Sequence, residues 1–200
     1  MKRVFITSDK YIYVFNGVYE PSDDTWLLMD LIDPETIDGK VVVDVCSGSG
    51  ILGLYAWITG DPEKIVFIDI CKDAIQNINY NIRHLGLVGN YLVLGCNLLD
   101  CLRDNSVGVV IANPPYLPGY REEYIDLYGG PRGYEVIVEL IKGASRVLRG
   151  DGRLYIVFST LSSEEVIMDY LSRYGFKVFR RITRHFFFED IIAIEAVKKR

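Results

Sequence analysis

Four residues after an apolar run have the types and spacing to bind a planar nitrogen. The run is Val107–Ala112, and Asn113-Pro114-Pro115-Tyr116 follows it directly. The side-chain oxygen of Asn113 and the backbone carbonyl of Pro114 can accept both N–H bonds of an amide or a base amine, while Tyr116 stacks on its plane. Holding such a weak nucleophile toward an electrophile can supply about 7–11 kcal/mol of a barrier. We therefore expect transfer of a group to a planar nitrogen, with a proline-rich turn of no chemical role as the alternative.

The apolar run predicts the strand that holds this segment. Its β-branched residues are typical of a strand buried on both faces of a parallel sheet. Prolines lack an N–H and have a fixed φ, so Pro114 and Pro115 must end the strand. Ligands bind at the carboxyl ends of the strands in open parallel sheets. We therefore expect Asn113 and Tyr116 at that edge of the sheet.

A second candidate site lies where an upstream strand meets a glycine-containing turn. Val41–Val45 predicts a buried strand, residues 46–50 a turn and residues 51–58 a helix. Glycines in such a turn let the backbone approach a ligand closely. The acidic Asp44 departs from the Gly-x-Gly-x-x-Gly pattern of a dinucleotide site and suits a nucleoside that carries a cation. We expect Asp44 to receive an ammonium group, directly or through water, with a tight turn in an ordinary strand–helix unit as the alternative.

Further candidate residues follow the next two strands along the chain. Asp69 ends the strand predicted over 64–69, about 20 residues after the glycines, where an acid can accept the hydroxyls of a ribose. Asn97 follows the strand predicted over 91–96, and its side chain can hydrogen-bond an adenine amine with Leu98 against the ring. A polar loop residue is the alternative for Asn97.

A helix is predicted over 23–32, with Ser22 as its N-cap and acidic residues in its first turn. Helix initiation accounts for Asp23. It does not account for Thr25, nor for Tyr19-Glu20-Pro21 before the cap. This segment is therefore a further candidate for binding.

Strands and helices alternate through most of the chain, and this order predicts a parallel sheet with right-handed crossovers. In one of these helices we expect the polar surface to hold the residues outside its apolar face, Asn77, Asn79, Tyr80 and Asn81. The last two strands, over 176–183 and 191–197, are predicted to be antiparallel. Phe186-Phe187-Phe188 lies at the bend between them, and such a run is more typical of a core or an interface than of an active site.

A long loop is predicted over 117–132, and loops of this length are typical of lids or binding segments. Glu122, Glu123 and Asp126 make it acidic, which suits a basic peptide more than a phosphate backbone. Ordinary solvated charge is the alternative.

Composition and charge exclude several classes of protein. Two hundred residues predict one domain. The chain has 22 basic and 27 acidic residues, and its net charge of −5 argues against a broad nucleic-acid surface. No apolar run approaches ~18 residues and the N-terminus has no signal-peptide pattern, so we expect no membrane span and a cytoplasmic protein. The cysteines form no Cys-x-x-Cys pair and predict no metal site; they are Cys46, Cys71, Cys96 and Cys101.

Several segments together resemble the class I S-adenosylmethionine-dependent methyltransferases. They are residues 44–50, Asp69, Asn97 and residues 113–116. Residues 19–25 and 129–136 narrow the resemblance to the HemK-like branch, and in particular to archaeal and eukaryotic members that methylate the glutamine of the Gly-Gly-Gln loop of class 1 release factors. The resemblance covers nearly the whole chain. It implies a single α/β domain with a Rossmann-like, doubly wound sheet of about seven strands, mostly parallel with an antiparallel C-terminal strand, and helices on both faces.

The resemblance also implies how the domain divides and what its residues do. Residues 1–40 would hold the N-terminal strands and a cofactor-gating helix, and residues 41–200 the Rossmann-like core. The cofactor would be S-adenosylmethionine and the product S-adenosylhomocysteine. The implied cofactor-binding residues are Asp44 and Gly48 at the methionine part, Thr25 and Asp24 near its carboxylate, Asp69 at the ribose, Asn97 and Leu98 at the adenine, and Asn113. The implied catalytic residues, which would bind the substrate amide, are Asn113, Pro114 and Tyr116.

Two residues depart from the pattern of the family. Cys46 stands where a glycine is common, and Asn97 stands where an aspartate is common. Asn97 can still meet an adenine amine through its carbonyl oxygen, although without a charge. The departures therefore allow weaker binding of the cofactor.

The implied activity is that of an N5-glutamine methyltransferase of the EC 2.1.1 class, acting on a release factor. Members of this branch often work with a small zinc-binding activator protein as a heterodimer partner, and the apolar third strand offers an edge for pairing. Protein lysine methylation and methylation of a base amine in RNA or DNA are the alternatives. Enzymes of the latter kind must reach a base, and they usually carry a recognition domain or a basic patch. A non-catalytic scaffold is less expected, because Asn113 and the glycines are present.

Overall fold

A seven-stranded sheet forms the centre of the protein in the computed structural model, which describes residues 1–119 and 127–199. The acidic residues predicted in the long loop, Glu122, Glu123 and Asp126, lie outside the described residues. The strands are β1 (Lys2–Phe5), β2 (Tyr11–Val14), β3 (Val41–Val45), β4 (Lys64–Asp69), β5 (Tyr91–Gly95), β6 (Val107–Ala112), β7 (Leu148–Ser159), β8 (Phe176–His185) and β9 (Asp190–Lys198). The helices are α1 (Asp23–Leu31), α2 (Pro34–Ile37), α3 (Ile51–Thr59), α4 (Lys72–His84), α5 (Glu135–Val147) and α6 (Glu164–Arg173), and a 3₁₀ turn spans Thr160–Ser162.

The strand order of the sheet is β5-β4-β3-β6-β7-β9-β8, and β1 pairs with β2 in a separate hairpin. The pairs from β5 to β7 are parallel, whereas β9 runs antiparallel to both β7 and β8. The predicted fold is confirmed, since the sheet is Rossmann-like, has seven strands and has one antiparallel strand at its C-terminal end. The order reverses at β3, which has β4 on one side and β6 on the other, and ligands bind outside such a reversal.

Apolar side chains on the two faces of the sheet form two cores. Val42 of β3 packs in the core that contains α1, α3 and α4, and the next residue, Val43, packs in the core that contains α5 and α6. Successive side chains of a strand point to opposite faces, so a run of valines fills both cores. Helices therefore cover both faces, as predicted.

The predicted elements agree with the structure to within a few residues at their ends. One exception is β7, which begins at Leu148, whereas the sequence predicts a strand from Arg153. The short α2 and the 3₁₀ turn have no counterpart in the sequence prediction. Within the described residues, no helix is both long and apolar enough to cross a bilayer.

The expectation that Asn77 and Asn81 lie at the polar surface is wrong, because both are fully buried on α4. Asn81 donates to the carbonyls of Tyr13 and Ser49 and accepts from the Tyr13 N–H, each over 2.9 Å. Asn77 accepts from the Phe15 N–H over 2.8 Å and donates to the Tyr13 carbonyl over 2.7 Å. The two amides satisfy backbone groups at the free edge of β2, which would otherwise be buried without partners. Asn81 thereby joins the N-terminal hairpin to the turn after β3.

Candidate active site

One cavity at the carboxyl edge of the parallel strands contains nearly all of the predicted site residues. Its volume is about 1140 Å³. Asp44 does not line it, because this residue is buried within β3 and in contact with α3. The predicted residues that do line the cavity are Asp24, Thr25, Gly48, Asp69, Asn97, Leu98, Asn113, Pro114 and Tyr116.

The side-chain amide of Asn113 is oriented by the first turn of α1. Its Nδ2 donates to Asp24 Oδ2 over 3.0 Å and to Thr25 Oγ1 over 3.3 Å. Both Asp24 and Thr25 are buried, so these acceptors are shielded from water. An amide whose nitrogen faces a carboxylate presents its oxygen on the opposite side. The chain therefore fixes Asn113 with its Oδ1 directed away from Asp24.

Two neighbouring oxygen atoms in the chain have unused capacity to accept hydrogen bonds. Within the described residues, no group donates to Asn113 Oδ1 or to the Pro114 carbonyl, and both residues line the cavity. A primary amide carries two N–H bonds and can satisfy both acceptors at once. The arrangement suits a planar nitrogen group better than a spherical anion, which would meet two acceptors and no donor.

Asp24 also receives hydrogen bonds from two phenols. Tyr116 donates to Asp24 Oδ2 over 2.9 Å, and Tyr19 reaches the same oxygen over 2.9 Å and Oδ1 over 3.0 Å. Burial raises the pKa of both phenols, and the charge of Asp24 raises it further. Both phenols therefore remain protonated and act as donors. Tyr19 belongs to the candidate segment that precedes the cap Ser22, and its contact with Asp24 is the role that the sequence did not specify.

The segment after Pro115 packs against the motif at residues 129–136. A Cβ added to Gly133 would lie 2.5 Å from the Tyr116 carbonyl oxygen, and the φ of Gly133 is +84°. Both conditions favour glycine at this position. The Gly129 N–H donates to the Leu117 carbonyl over 2.9 Å. The motif therefore packs against the backbone of Tyr116 and Leu117 and holds this segment in place.

Asp44 is a buried carboxylate beside the site, and its contacts indicate whether a cationic ligand fits there. Its Oδ2 accepts from the Gly53 N–H over 2.9 Å, and its buried Oδ1 has no partner among the described residues. A Cβ on Gly53 would lie 2.9 Å from the Asp44 Cβ, so glycine permits this close approach of α3. Burial raises the pKa of Asp44 to about 7; the Gly53 hydrogen bond opposes this and the charge of Asp69 adds to it. A buried carboxylate oxygen without a donor suits an ammonium group, so the residues fit S-adenosylmethionine.

Asp69 holds the turn after β3 in place. Its Oδ2 accepts from the Gly48 N–H and its Oδ1 from the Cys71 N–H, each over 2.8 Å. A carboxylate can accept about four hydrogen bonds, so each oxygen keeps capacity for a ribose hydroxyl. The structure brings Asp69 and Gly48 together, and it gives Asp69 a structural role that the sequence did not predict.

Asn97 and Leu98 border the same cavity beyond β5. Asn97 Nδ2 donates to Asp100 Oδ2 over 3.0 Å, which leaves the amide oxygen as an acceptor. An acceptor is what an adenine amine requires. Leu98 has a φ of 45°, in the left-handed region that few branched residues adopt, and it packs against the core with α5 and α6.

Three cysteines line the cavity, each just after a strand of the sheet: Cys46, Cys71 and Cys96. Cys46 has a φ of 57° in the left-handed region, which gives a physical reason for the glycine that is common at this position. Burial raises the pKa of the Cys46 thiol, and burial raises the pKa of Cys101 to about 11. All four cysteines are free thiols.

The chain is similar to known proteins over most of its length. It is 29% identical over 186 residues to a candidate protein N5-glutamine methyltransferase of Methanocaldococcus jannaschii, which covers 90% of this chain and 91% of that protein. It is 26% identical over 204 residues to the eRF1 methyltransferase catalytic subunit mtq2 of Schizosaccharomyces pombe, which covers 90% of this chain and 88% of that protein.

The same similarity extends to solved structures. The Mtq2–Trm112 complex of E. cuniculi, described as responsible for methylation of the eRF1 translation termination factor, gives a TM-score of 0.69 at 26% identity, over 91% of this chain and 99% of that chain. The fold is that of S-adenosylmethionine-dependent methyltransferases, and S-adenosylmethionine is the cofactor that it implies. The family model of the methyltransferase small domain matches residues 17–180, which include every predicted site residue. The chain therefore belongs to the methyltransferase small domain family.

Proposed function

We propose that the chain methylates the side-chain amide nitrogen of a glutamine in a protein, namely the glutamine of the Gly-Gly-Gln loop of a class 1 translation release factor. The observation that carries this proposal is a pair of acceptors to which no described residue donates, Asn113 Oδ1 and the Pro114 carbonyl, both in residues that line the cavity. Two acceptors match in number the two N–H bonds of a primary amide. The names of the M. jannaschii and S. pombe relatives support glutamine and a release factor, respectively.

The residues of this chain orient a poor nucleophile. S-adenosylmethionine supplies an electrophilic methyl group when bound. Asn113 and the Pro114 carbonyl hold the N–H bonds of the amide, and the Tyr116 ring packs on its plane. Asp24 holds both Asn113 and Tyr116 through hydrogen bonds, so the acceptors are in place before the substrate arrives. An amide nitrogen has a delocalised lone pair, and fixed orientation toward the electrophile is the main contribution that a protein can make.

The other predicted residues surround the cofactor in this proposal. Asp69 accepts from the ribose hydroxyls and Asn97 accepts from the adenine amine. Asp44 receives the ammonium group through water, because it does not line the cavity. The remaining cofactor-binding residues are Leu98 at the adenine ring, Thr25 and Gly48 at the methionine part, and Asp24 and Asn113 beside them. We also propose one methyltransferase domain with the gating helix in residues 1–40 and the Rossmann-like core in residues 41–200, acting in the cytoplasm.

The substrate can be tested by transfer of a labelled methyl group. The acceptors are a class 1 release factor, the same factor with alanine in place of the loop glutamine, a lysine-rich peptide and an RNA. We expect label in the first acceptor alone. Label in the alanine variant, in the peptide or in the RNA would replace the glutamine proposal with one of its rivals.

Replacing Asp69 with alanine is expected to weaken binding of S-adenosylmethionine by about 30-fold. The variant loses acceptors for the ribose and for the Gly48 N–H, and hydrogen bonds to a charged group contribute about 1.5–3 kcal/mol each. Calorimetric titration measures the dissociation constant. Asp73→Ala, which removes an exposed acid from α4, is the matched control. An unchanged titration for Asp69→Ala would remove Asp69 from the cofactor site.

The affinity for S-adenosylmethionine is expected to rise with pH up to about 7. An ammonium group binds the ionised form of Asp44, and burial raises the pKa of that carboxyl to about 7. The dissociation constant should therefore fall by up to about tenfold per pH unit below that value, and Asp44→Asn should abolish this dependence. The stability of the protein without cofactor should change in the opposite direction. Because the pKa of Asp44 is higher in the folded state than in the unfolded state, the free energy of unfolding should fall as the pH rises from about 4 to about 7. Equal affinities of the wild type at about pH 5.5 and pH 7 would contradict the role of Asp44.

A small zinc-binding activator subunit is proposed to pair with β5. This strand is the edge of the sheet, and its Tyr91 and Leu92 are exposed. An edge strand presents unpaired N–H and C=O groups to which a partner can add a strand. The E. cuniculi Mtq2, which this chain resembles, was solved with Trm112.

Without such a subunit the chain is expected to be poorly soluble or inactive, because the apolar side of the β5 edge remains uncovered. Sedimentation velocity and methyl transfer, each with and without a Trm112-type protein, measure this. Full activity of a monomer in the absence of any partner would contradict the need for an activator.

A further inference from the structure

Two phenylalanines at the bend between β8 and β9 are almost fully exposed. Phe187 is 89% exposed and Phe188 is 86% exposed, and their rings meet edge to face at 4.7 Å; we call this pair the aromatic tip. The neighbouring Phe186 packs against the core, and its N–H donates to the Glu189 carbonyl over 2.8 Å. Burial of one phenylalanine side chain contributes about 1.5–3 kcal/mol, which the described fold does not gain from either ring.

The base of the aromatic tip is anchored to the active-site wall. The Asp190 N–H donates to Thr160 Oγ1 over 3.0 Å, and the Ser159 hydroxyl donates to the Glu189 carboxylate. The hydroxyl of Ser162, in the same 3₁₀ turn as Thr160, donates to the Tyr116 carbonyl. A partner that bound the aromatic tip would therefore meet a surface that is already ordered, at little further entropic cost.

A groove leads from this anchor to the active site. It has a volume of about 470 Å³, and its lining includes Glu189 together with Tyr19, Tyr116 and Leu127. Those last three residues also line the main cavity. A polypeptide that inserts a side chain between Tyr19 and Tyr116 can therefore continue along the groove and reach Glu189, which is the residue next to the aromatic tip.

The groove carries acidic side chains, and their charge indicates which kind of segment can bind there. Among the described residues that line the groove, two carry a charge at neutral pH, Glu20 and Glu189, and none is basic. Lys2 pairs with Glu20, whereas no described cation pairs with Glu189. An acidic groove beside two exposed rings suits a basic protein segment with an apolar side chain, and it disfavours an anionic lipid surface or a nucleic acid.

We propose that the aromatic tip and Glu189 form a docking site for the protein substrate, outside the cavity that receives the glutamine. The tip inserts into an apolar patch of the substrate, and Glu189 faces a basic residue of the segment that leads to the methylated side chain. Aromatic residues, phenylalanine included, are enriched in protein interfaces, where a few anchor side chains carry most of the binding energy. The inference rests on the proposed function, because it takes the substrate to be a folded protein.

The test compares a folded class 1 release factor with a short peptide that carries only its Gly-Gly-Gln loop. The double variant Phe187→Ser/Phe188→Ser should raise the dissociation constant and the KM for the release factor by about 30-fold, the change that corresponds to a loss of about 2 kcal/mol. The KM for the peptide and the affinity for S-adenosylmethionine should change by less than about twofold. Phe179→Ser is the matched control, since Phe179 is 64% exposed on β8 with its ring over Arg153.

Each outcome separates this proposal from the proposed function. If the wild type neither binds nor methylates the release factor, the proposed function fails and the docking site falls with it. If the wild type does both and the double variant does so equally well, the docking site alone is overturned. An equal loss with the peptide, or vesicle binding by the wild type that the double variant lacks, would also overturn it, in favour of a structural role or a lipid surface.

Discussion

Replacing Asn113 with alanine is expected to lower kcat for methyl transfer by about 10³-fold, while the affinity for S-adenosylmethionine stays within about threefold. The variant loses one of the two acceptors for the substrate amide, and loss of one preorganised polar group at a reacting centre costs about 10²–10³-fold in kcat. A further loss follows because the amide can then rotate about its remaining contact with the Pro114 carbonyl. Single-turnover transfer to a release factor measures the rate, and calorimetry measures cofactor binding.

The matched control for this substitution is Asn79→Ala. Asn79 is on α4, and its Nδ2 donates to the Ile75 carbonyl within the same helix. Asn79→Ala removes the same chemical group at a residue that does not line the cavity, so the rate of this variant should equal that of the wild type. A rate for Asn113→Ala close to the wild-type rate would show that the Asn113 oxygen does not hold the substrate.

The second large effect is expected for Asp24→Ala, with a loss of about 10²-fold in kcat. Asp24 accepts from Asn113 over 3.0 Å and from Tyr116 and Tyr19 over 2.9 Å each. Without this carboxylate both phenols lose their acceptor, and Asn113 Nδ2 keeps only its longer contact with Thr25 Oγ1, so the Asn113 amide is free to turn over. A displacement of about 1 Å at a reacting centre can cost about 10²-fold. Asp24→Asn should recover little of the rate, because an amide has one acceptor oxygen, and in either orientation its NH₂ faces a donor, the Asn113 NH₂ or the Thr25 N–H.

Asp23→Ala is the control, since it removes the neighbouring acid from the first turn of α1. The Asp23 carboxylate is exposed and pairs with Arg184 over 2.9 Å. Both substitutions remove a favourable charge at the start of the helix, worth about 0.3–1 kcal/mol, so any difference between them reflects the contacts of Asp24. Thermal unfolding curves report stability separately. Equal turnover of Asp23→Ala and Asp24→Ala would reject Asp24 as the residue that positions Asn113.

The strands of the sheet could be predicted because a buried strand needs a local run of apolar, β-branched residues, which is visible in the sequence. A run of valines such as Val41–Val45 has side chains in both cores, and its ends are marked by polar or turn-forming residues. The residues after each strand then follow from topology, since parallel strands end at one edge. Asp69, Asn97 and Asn113 lie around one cavity for that reason.

The contacts that cross between distant segments could not be predicted in this way. Asn77 and Asn81 have the pattern of a polar helix face, and their burial becomes evident only when the free edge of β2 lies against α4. Likewise, Asp24 is a normal residue for a helix start, and nothing local places it beside Asn113, which lies 89 positions later. Specific pairings of polar groups depend on tertiary geometry, whereas apolar periodicity is local.

The central claim is that Asn113 Oδ1 and the Pro114 carbonyl hold the two N–H bonds of a glutamine amide. The most direct measurement is a crystal structure of the enzyme with S-adenosylhomocysteine and a Gly-Gly-Gln peptide. We predict both oxygens within about 2.7–3.2 Å of the glutamine amide nitrogen, with Asn113 Nδ2 still bound to Asp24. A glutamine bound elsewhere, or an Asn113 side chain turned so that its nitrogen faces the peptide, would contradict the account.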